Sequence, residues 1–180
     1  LYNQLNLFLH NDNGFSVENK VILHKGNTSL ELLKTELEKQ SNILSVSATS
    51  HIPMVGISHG SGFKKSLDEK DWKFLNYYSV DEDYIQNMGL TLQTGKFFSE
   101  KAGLSNKDFI ILNEEAVKFY HFENALDAIG KSLIIQDDSS QRQVIGVVKD
   151  YQHELFGERL EPMALIYDPE KYSILQVEYN

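Results

Sequence analysis

Apolar positions along this chain change their spacing several times, and each change predicts a switch of secondary structure. In LYNQLNLFL, Leu1, Leu5, Phe8 and Leu9 fall on one helical face, and Asn13 and Gly14 then read as a stop. KVILHKG is a short strand closed by Gly26. NTSLELLKTELEKQSN carries Leu30, Leu33 and Leu37 at helical spacing, with Thr28 and Glu31 at the spacing of a capping box. ILSVSATS returns to alternation, setting Ile43 or Leu44 against Ser45, Val46 and Ser47. The first sixty or so residues therefore read as β-α-β.

The middle of the chain is more broken. HIPMVGISHGSGFKK holds Gly56, Gly60 and Gly62 and reads as a loop. WKFLNYYSV is an aromatic strand. In DEDYIQNMG, Asp81 is placed to cap a helix of about two turns and Gly89 to end it. LTLQTG is a strand turning at Thr94 and Gly95. Phe109 to Leu112 form an apolar strand, and Asn113 then caps a helix with Glu114 and Glu115 in its first turn, where they suit the helix dipole. KSLIIQDDSSQRQVIGVVKDY is a hairpin around Asp137 to Ser140. MALIYD and YSILQVEY are two final strands separated by Pro169. This mixed order predicts an α+β fold.

Composition narrows the function classes. A chain of 180 residues fits one domain or two small lobes, long enough to bury a core without staples. Its net charge of -9 argues against nucleic acid and against anionic lipid head groups, both of which demand clustered Lys and Arg. The absence of cysteine removes disulfides, thiolate nucleophiles and cysteine-based zinc sites together. No run approaches the roughly 18 apolar residues of a membrane span, and no signal peptide is recognisable. The first residue is Leu1 rather than Met, which suggests a fragment or a processed product.

Candidate chemistry is sparse. GISHG, residues 56–60, matches the nucleophile-elbow pattern with Ser58 as nucleophile, but SGFKKS is a poor start for the helix that must follow. His51 and His59 share that loop, eight positions apart and without metal-binding spacing, and read as an exposed pair. DEKD (68–71) and DED (81–83) lack the alternating ligands, central glycine and closing glutamate of a calcium loop. No phosphate-binding glycine motif occurs. In VIGVVKDYQHELFG, the valines flank Gly146, which suits a buried strand with close backbone approach. Lys149, Asp150, His153 and Glu154 follow as a turn, a cap and a polar segment rather than an active-site rim. No residue receives a catalytic, cofactor-binding or metal-binding role.

The blocks NGFSVENKVIL, YYSVDEDYIQNMGLTLQTGKFFS, FIILNEEAVKFY, AIGKSLII and QVIGVVKDYQHELFGERLEPMALIY, in this order, resemble the MacB-like periplasmic core domain. That is the extracytoplasmic domain of FtsX-like ABC transporter permeases, particularly the forms seen in Bacteroidota. The resemblance runs from about Gln4 to Tyr179. It implies a two-lobed domain on the periplasmic side of the plasma membrane, hung between two membrane helices. A β-α-β porter-like lobe, approximately 15–70 and 144–180, is built from both ends of the chain, and a mixed α/β sabre-like lobe, approximately 71–143, is inserted in it. LYNQLNLFL would then continue the preceding membrane helix. The family usually runs on into a further helix, whereas this sequence ends at Asn180. The resemblance further implies a non-catalytic domain that transmits ATP-driven motion or contacts a substrate or periplasmic partner. A separate cytoplasmic subunit hydrolyses ATP, and the permease acts as a dimer. The competing reading is a secreted or surface serine hydrolase using Ser58 or the His153 region.

Overall fold

The computed structural model describes residues 14–26, 28–55, 59–153 and 160–180. The helix expected over Leu1 to Leu9 lies outside them. Two sheets organise the described residues. The smaller has the order β1-β10-β2, formed by Lys20–His24 (β1), Ile43–Thr49 (β2) and Ile174–Tyr179 (β10), all antiparallel. Helix α1 (Leu30–Glu38) covers one face, packing Leu30, Leu33 and Leu37 against Val46, Ala48, Leu175 and Val177. Its cap is Ser29, whose hydroxyl accepts from Leu32 N, and not Thr28: the helix begins one residue later than the capping-box spacing suggested.

The larger sheet has seven strands: His59–Lys64 (β3), Lys73–Ser79 (β4), Leu92–Gly95 (β5), Phe109–Asn113 (β6), Ser132–Ile135 (β7), Gln141–Val148 (β8) and Met163–Ile166 (β9). Their order is β5-β8-β6-β9-β4-β3-β7, and β7 also pairs with β8. Strand β8 has β6 on one edge. Its other edge is shared by β7 along Gln141 to Gln143 and by β5 along Gly146 to Val148. Six strands thus close into a ring, with β5 added outside it. Short helices join these strands: α2 (Tyr84–Asn87), α3 (Glu114–Phe119) and α4 (Ala125–Ala128), with 3-10 segments at Glu100–Asp108 and Pro169–Lys171. The fold is α+β.

Alternation sorts the ring strands between two cores. Leu75 and Tyr77, Ile110 and Leu112, and Ala164 and Ile166 point into the ring, where α3 and α4 add Ala116, Val117, Tyr120 and Ala128. Tyr78, Ile111, Met163 and Leu165 face outward into a second core completed by Tyr84, Ile85 and Met88 of the α2 region. A bulge at Ile145 resets the alternation of β8, so that Val144 and Val147, three apart, both reach the ring interior.

The loop expected around Gly60 and Gly62 is partly strand β3. Phe74 of the neighbouring strand lies over Gly60, while Gln136 and Trp72 crowd Gly62, so cross-strand side chains fill the space that the glycines leave. Strand Val144 to Val148 was expected with the small sheet. It belongs to the ring instead, as do β3 and β9, because its apolar residues are claimed on both faces.

Candidate functional site: the seam between the sheets

Strand β2 leaves the small sheet and meets the end of β4 directly. Ser50 N donates to Ser79 O at 2.8 Å, Asp81 N to Ala48 O at 3.0 Å, and Thr49 faces Val80 in an isolated antiparallel bridge. Asp81 was expected to cap the following helix. Asp83 holds that position, without a side-chain cap bond, and Asp81 is drawn inward. It is 4% exposed. Its Oδ2 accepts from Ala48 N at 2.7 Å and from Lys34 Nζ at 2.7 Å, while Asp83 Oδ2 takes the same ammonium at 2.5 Å. Burial pushes the Asp81 carboxyl up to about 6, against the pull of Lys34. Burial also disfavours the Lys34 ammonium, but Asp81 and Asp83 outweigh it and hold Lys34 well above the ordinary lysine range. On the opposite face of the small sheet, Lys20 donates to the backbone carbonyl of Asn87 and pairs with Glu178 at 3.3 Å, and Asn87 Nδ2 donates to Ser45 Oγ at 2.6 Å. Ionic and amide contacts therefore fasten the small sheet to the ring on both of its faces.

Within the stretch that opens at Val144, Asp150 and His153 make structural contacts. Asp150 accepts from Glu115 N at 2.9 Å, and Glu114 accepts from Asp150 N at 3.1 Å, so the carboxylate supports the start of α3. Burial raises the Asp150 carboxyl, opposed by that backbone donor. His153 is 4% exposed, edge-on to Tyr78 and Tyr151, and its carbonyl accepts from Met54 N and from the Tyr78 hydroxyl. Glu154 lies outside the described residues, as does Ser58. The residues directly after Ser58 enter a strand, where a nucleophile elbow requires a helix.

His51 and His59, eight apart in sequence, are brought into contact. His59 Nδ1 lies 2.6 Å from His51 Nε2, and His51 Nδ1 lies 2.7 Å from Ser50 Oγ. The His51 ring stacks on Tyr78 at 5.3 Å. Burial, and then the neighbouring His59, lower the His51 pKa to about 4. His59 is exposed as expected, but His51 is half-buried. Among the described residues, no group of three or more His, Asp or Glu is placed to hold a metal ion.

The sequence did not single out Lys34 and Asp81 as partners. One sits on the margin of an amphipathic helix and the other looked like a cap; neither position carries a motif.

No curated protein sequence matches this chain. Among solved structures, it is similar to the periplasmic region of MacB from Actinobacillus actinomycetemcomitans, with a TM-score of 0.65 at 19% identity, covering 97% of this chain and 80% of that one. It is also similar to the extracellular domain of the noncanonic ABC-type transporter YknZ from Gram-positive bacteria, with a TM-score of 0.62 at 14% identity, covering 90% and 84%. At such identities the likeness shows the fold. No helix among the described residues is long and apolar enough to cross a membrane. The model of the MacB-like periplasmic core domain matches residues 8–177, and the chain belongs to that family of ABC transporter permease domains.

Proposed function

We propose that this domain stands on the outer side of the plasma membrane and carries ATP-driven motion from the permease to a substrate or periplasmic partner. ATP is hydrolysed on a separate cytoplasmic subunit, and the permease works as a dimer. The carrying observation is the side-by-side placement of β1 and β10. Lys20 pairs with Glu178, and Tyr179 N donates to Asn19 O at 3.0 Å. A domain hung between two membrane spans needs its entry and exit on one side, and here both run through the small sheet. We assign that sheet, with α1, to the porter-like lobe and the ring strands to the sabre-like lobe, a division that takes β3, β8 and β9 out of the porter-like ranges 15–70 and 144–180. The seam joins them into one lever, which works because packed bodies move as units.

The test is a distance measurement in the full-length permease reconstituted with its ATPase. This domain has no cysteine, so a spin label at Leu126→Cys, a site 72% exposed, reports the separation of the two domains of a dimer. Vanadate trapping should shift that distance by several ångströms. A flexible Gly/Ser insertion at residues 11–13 should abolish the shift while ATP hydrolysis continues. A distance that ignores nucleotide state would overturn the mechanical reading.

A further inference from the structure

Between α1 and the loops that follow β4 and β9 lies a cleft of about 600 Å³, within the usual size of small-molecule pockets. Part of its wall is apolar and aromatic. Leu30 projects from α1, Leu104 from the 3-10 segment Glu100–Asp108, and the rings of Tyr167 and Tyr172 meet edge-on at 6.2 Å. Leu104 is 69% exposed, a large apolar side chain at the lip of a cavity. Tyr172 is fixed by its hydroxyl, which donates to Val80 O at 2.8 Å.

The charge of the cleft is acidic. Glu31 lines one side, and Asp81 and Glu82 the other. Of the two lysines that also line it, Lys34 is already bound by Asp81 and Asp83, and Lys25 is exposed. Asp81 Oδ1 is buried with no hydrogen-bond partner among the described residues. The tyrosines register this field. Burial raises the Tyr167 hydroxyl, and Glu82 and Asp81 raise it further against the opposing pull of Lys34; the half-buried Tyr172 is raised first by burial and then by Asp81 and Glu82 among its neighbours.

With Asp81 neutralised by Lys34, an anion entering here would meet Glu31 and Glu82 opposed only by Lys25, and a neutral apolar molecule would leave those two carboxylates unmatched. An ammonium on an apolar body satisfies both walls: its charge among the carboxylates and aromatic rings, and its apolar part against Leu30 and Leu104. We propose that this cleft binds a small organic monocation, an amine carried on an apolar or aromatic body. Whether such a ligand is cargo or effector rests on the role proposed above, but the binding does not, because it is measured on this chain alone.

The probe is phenethylamine, with 2-phenylethanol as its neutral counterpart of the same size. In amide NMR spectra of the 180-residue chain, phenethylamine should give saturable shifts confined to Glu31, Glu82, Gly103, Leu104 and Tyr172. Phenylethanol should bind at least about tenfold more weakly, the factor expected from losing one favourable charge interaction. The double variant Glu31→Gln/Glu82→Gln should lose most of that preference while keeping its melting temperature. Leu104→Ser, at an exposed site, should weaken both compounds. Equal binding of amine and alcohol, shifts scattered over the acidic surface, or no saturation at millimolar concentrations would each overturn the site. A failure of transport coupling alone would leave it standing.

Discussion

Lys34 Nζ stands 2.7 Å from Asp81 Oδ2, so that the helix of the small sheet is tied to the chain leaving β4 of the ring. The burial of Asp81 at this contact gives stability a defined pH dependence. The Asp81 carboxyl is pushed up to about 6, above its unfolded value, because burial outweighs Lys34 and the Ala48 amide. A carboxyl raised in this way binds its proton more tightly when folded. Its contribution is fully present only below the unfolded value of about 4 and is lost as pH rises from there through about 6, by an amount on the order of 2–3 kcal/mol in all. Asp81→Asn removes the titration. In urea unfolding at pH 4.5 and pH 8, the parent protein should lose most of that amount relative to Asp81→Asn. Parallel stability curves for the two proteins would refute the buried titration.

Removing the cation should produce the complementary signature. In Lys34→Met at pH 8, the Asp81 carboxylate keeps only the Ala48 amide and faces Asp83 without a counter-ion. The cost should be about 2–3 kcal/mol, toward the low end for a broken buried pair because the Lys34 side chain retains some exposure. At pH 5 the carboxyl accepts a proton, and the cost should fall to about 1 kcal/mol or less. Denaturation at the two pH values separates the cases: a cost independent of pH would mean that Lys34 acts through packing of its stem.

The histidine pair carries the opposite sign. The His51 pKa is lowered to about 4 by burial first and by His59 second. A histidine depressed in the folded state is most stabilising above its unfolded pKa, and that stability is lost as pH falls from about 6.5 toward 4. Ring-proton NMR titration should place the His51 midpoint near 4. His59→Ala should move it upward but not to an ordinary value, since burial remains. A midpoint indifferent to His59 would show that the 2.6 Å contact has no electrostatic weight.

Two glycines should respond differently to alanine. A methyl at Gly146 would meet the backbone carbonyl of Lys96 at 2.5 Å, where the β5 edge approaches β8, and neither strand can yield without losing pairing. Gly146→Ala should cost about 2 kcal/mol or more, as overpacking against backbone does. A methyl at Gly60 would meet the ring of Phe74 at 2.0 Å, but that ring is 67% exposed and can swing away. Gly60→Ala should cost less than about 1 kcal/mol. Thermal melts of the two variants test the ranking, and a reversed order would refute it.

Local chemistry was the most legible part of the sequence. Asn113 was readable as a cap because it follows an apolar strand and precedes two glutamates, and its Oδ1 does accept from Ala116 N at 2.9 Å. Gly89 ends α2 in the left-handed region, at φ 65°, as a C-terminal glycine should. Gly146 stood out within its apolar run as a point of close approach. What the sequence concealed was which distant segments meet. That Asn113 Oδ1 also accepts from Met163 N, or that Asp81 reaches Lys34, depends on segments 50 and 47 positions apart. Strand β3 was hidden for another reason: its glycines lower local strand preference, and the side chains that restore it belong to other strands. Asn124 does cap α4, accepting from Asp127 N, but a four-residue helix leaves no periodicity to read.

The pairing order of the small sheet also bears on how the molecule comes into being. Strands β1 and β2 do not pair with each other; each pairs with β10, the last strand among the described residues. As the chain is synthesised from its N-terminus, the ring has all its strands by Ile166, while the small sheet lacks its centre until Ile174 to Tyr179 arrive. Until then α1 has no complete surface on which to bury Leu30, Leu33 and Leu37. The ring therefore has its full set of strands before the small sheet can close, and that closure depends on a long-range pairing of β1 and β2 with β10.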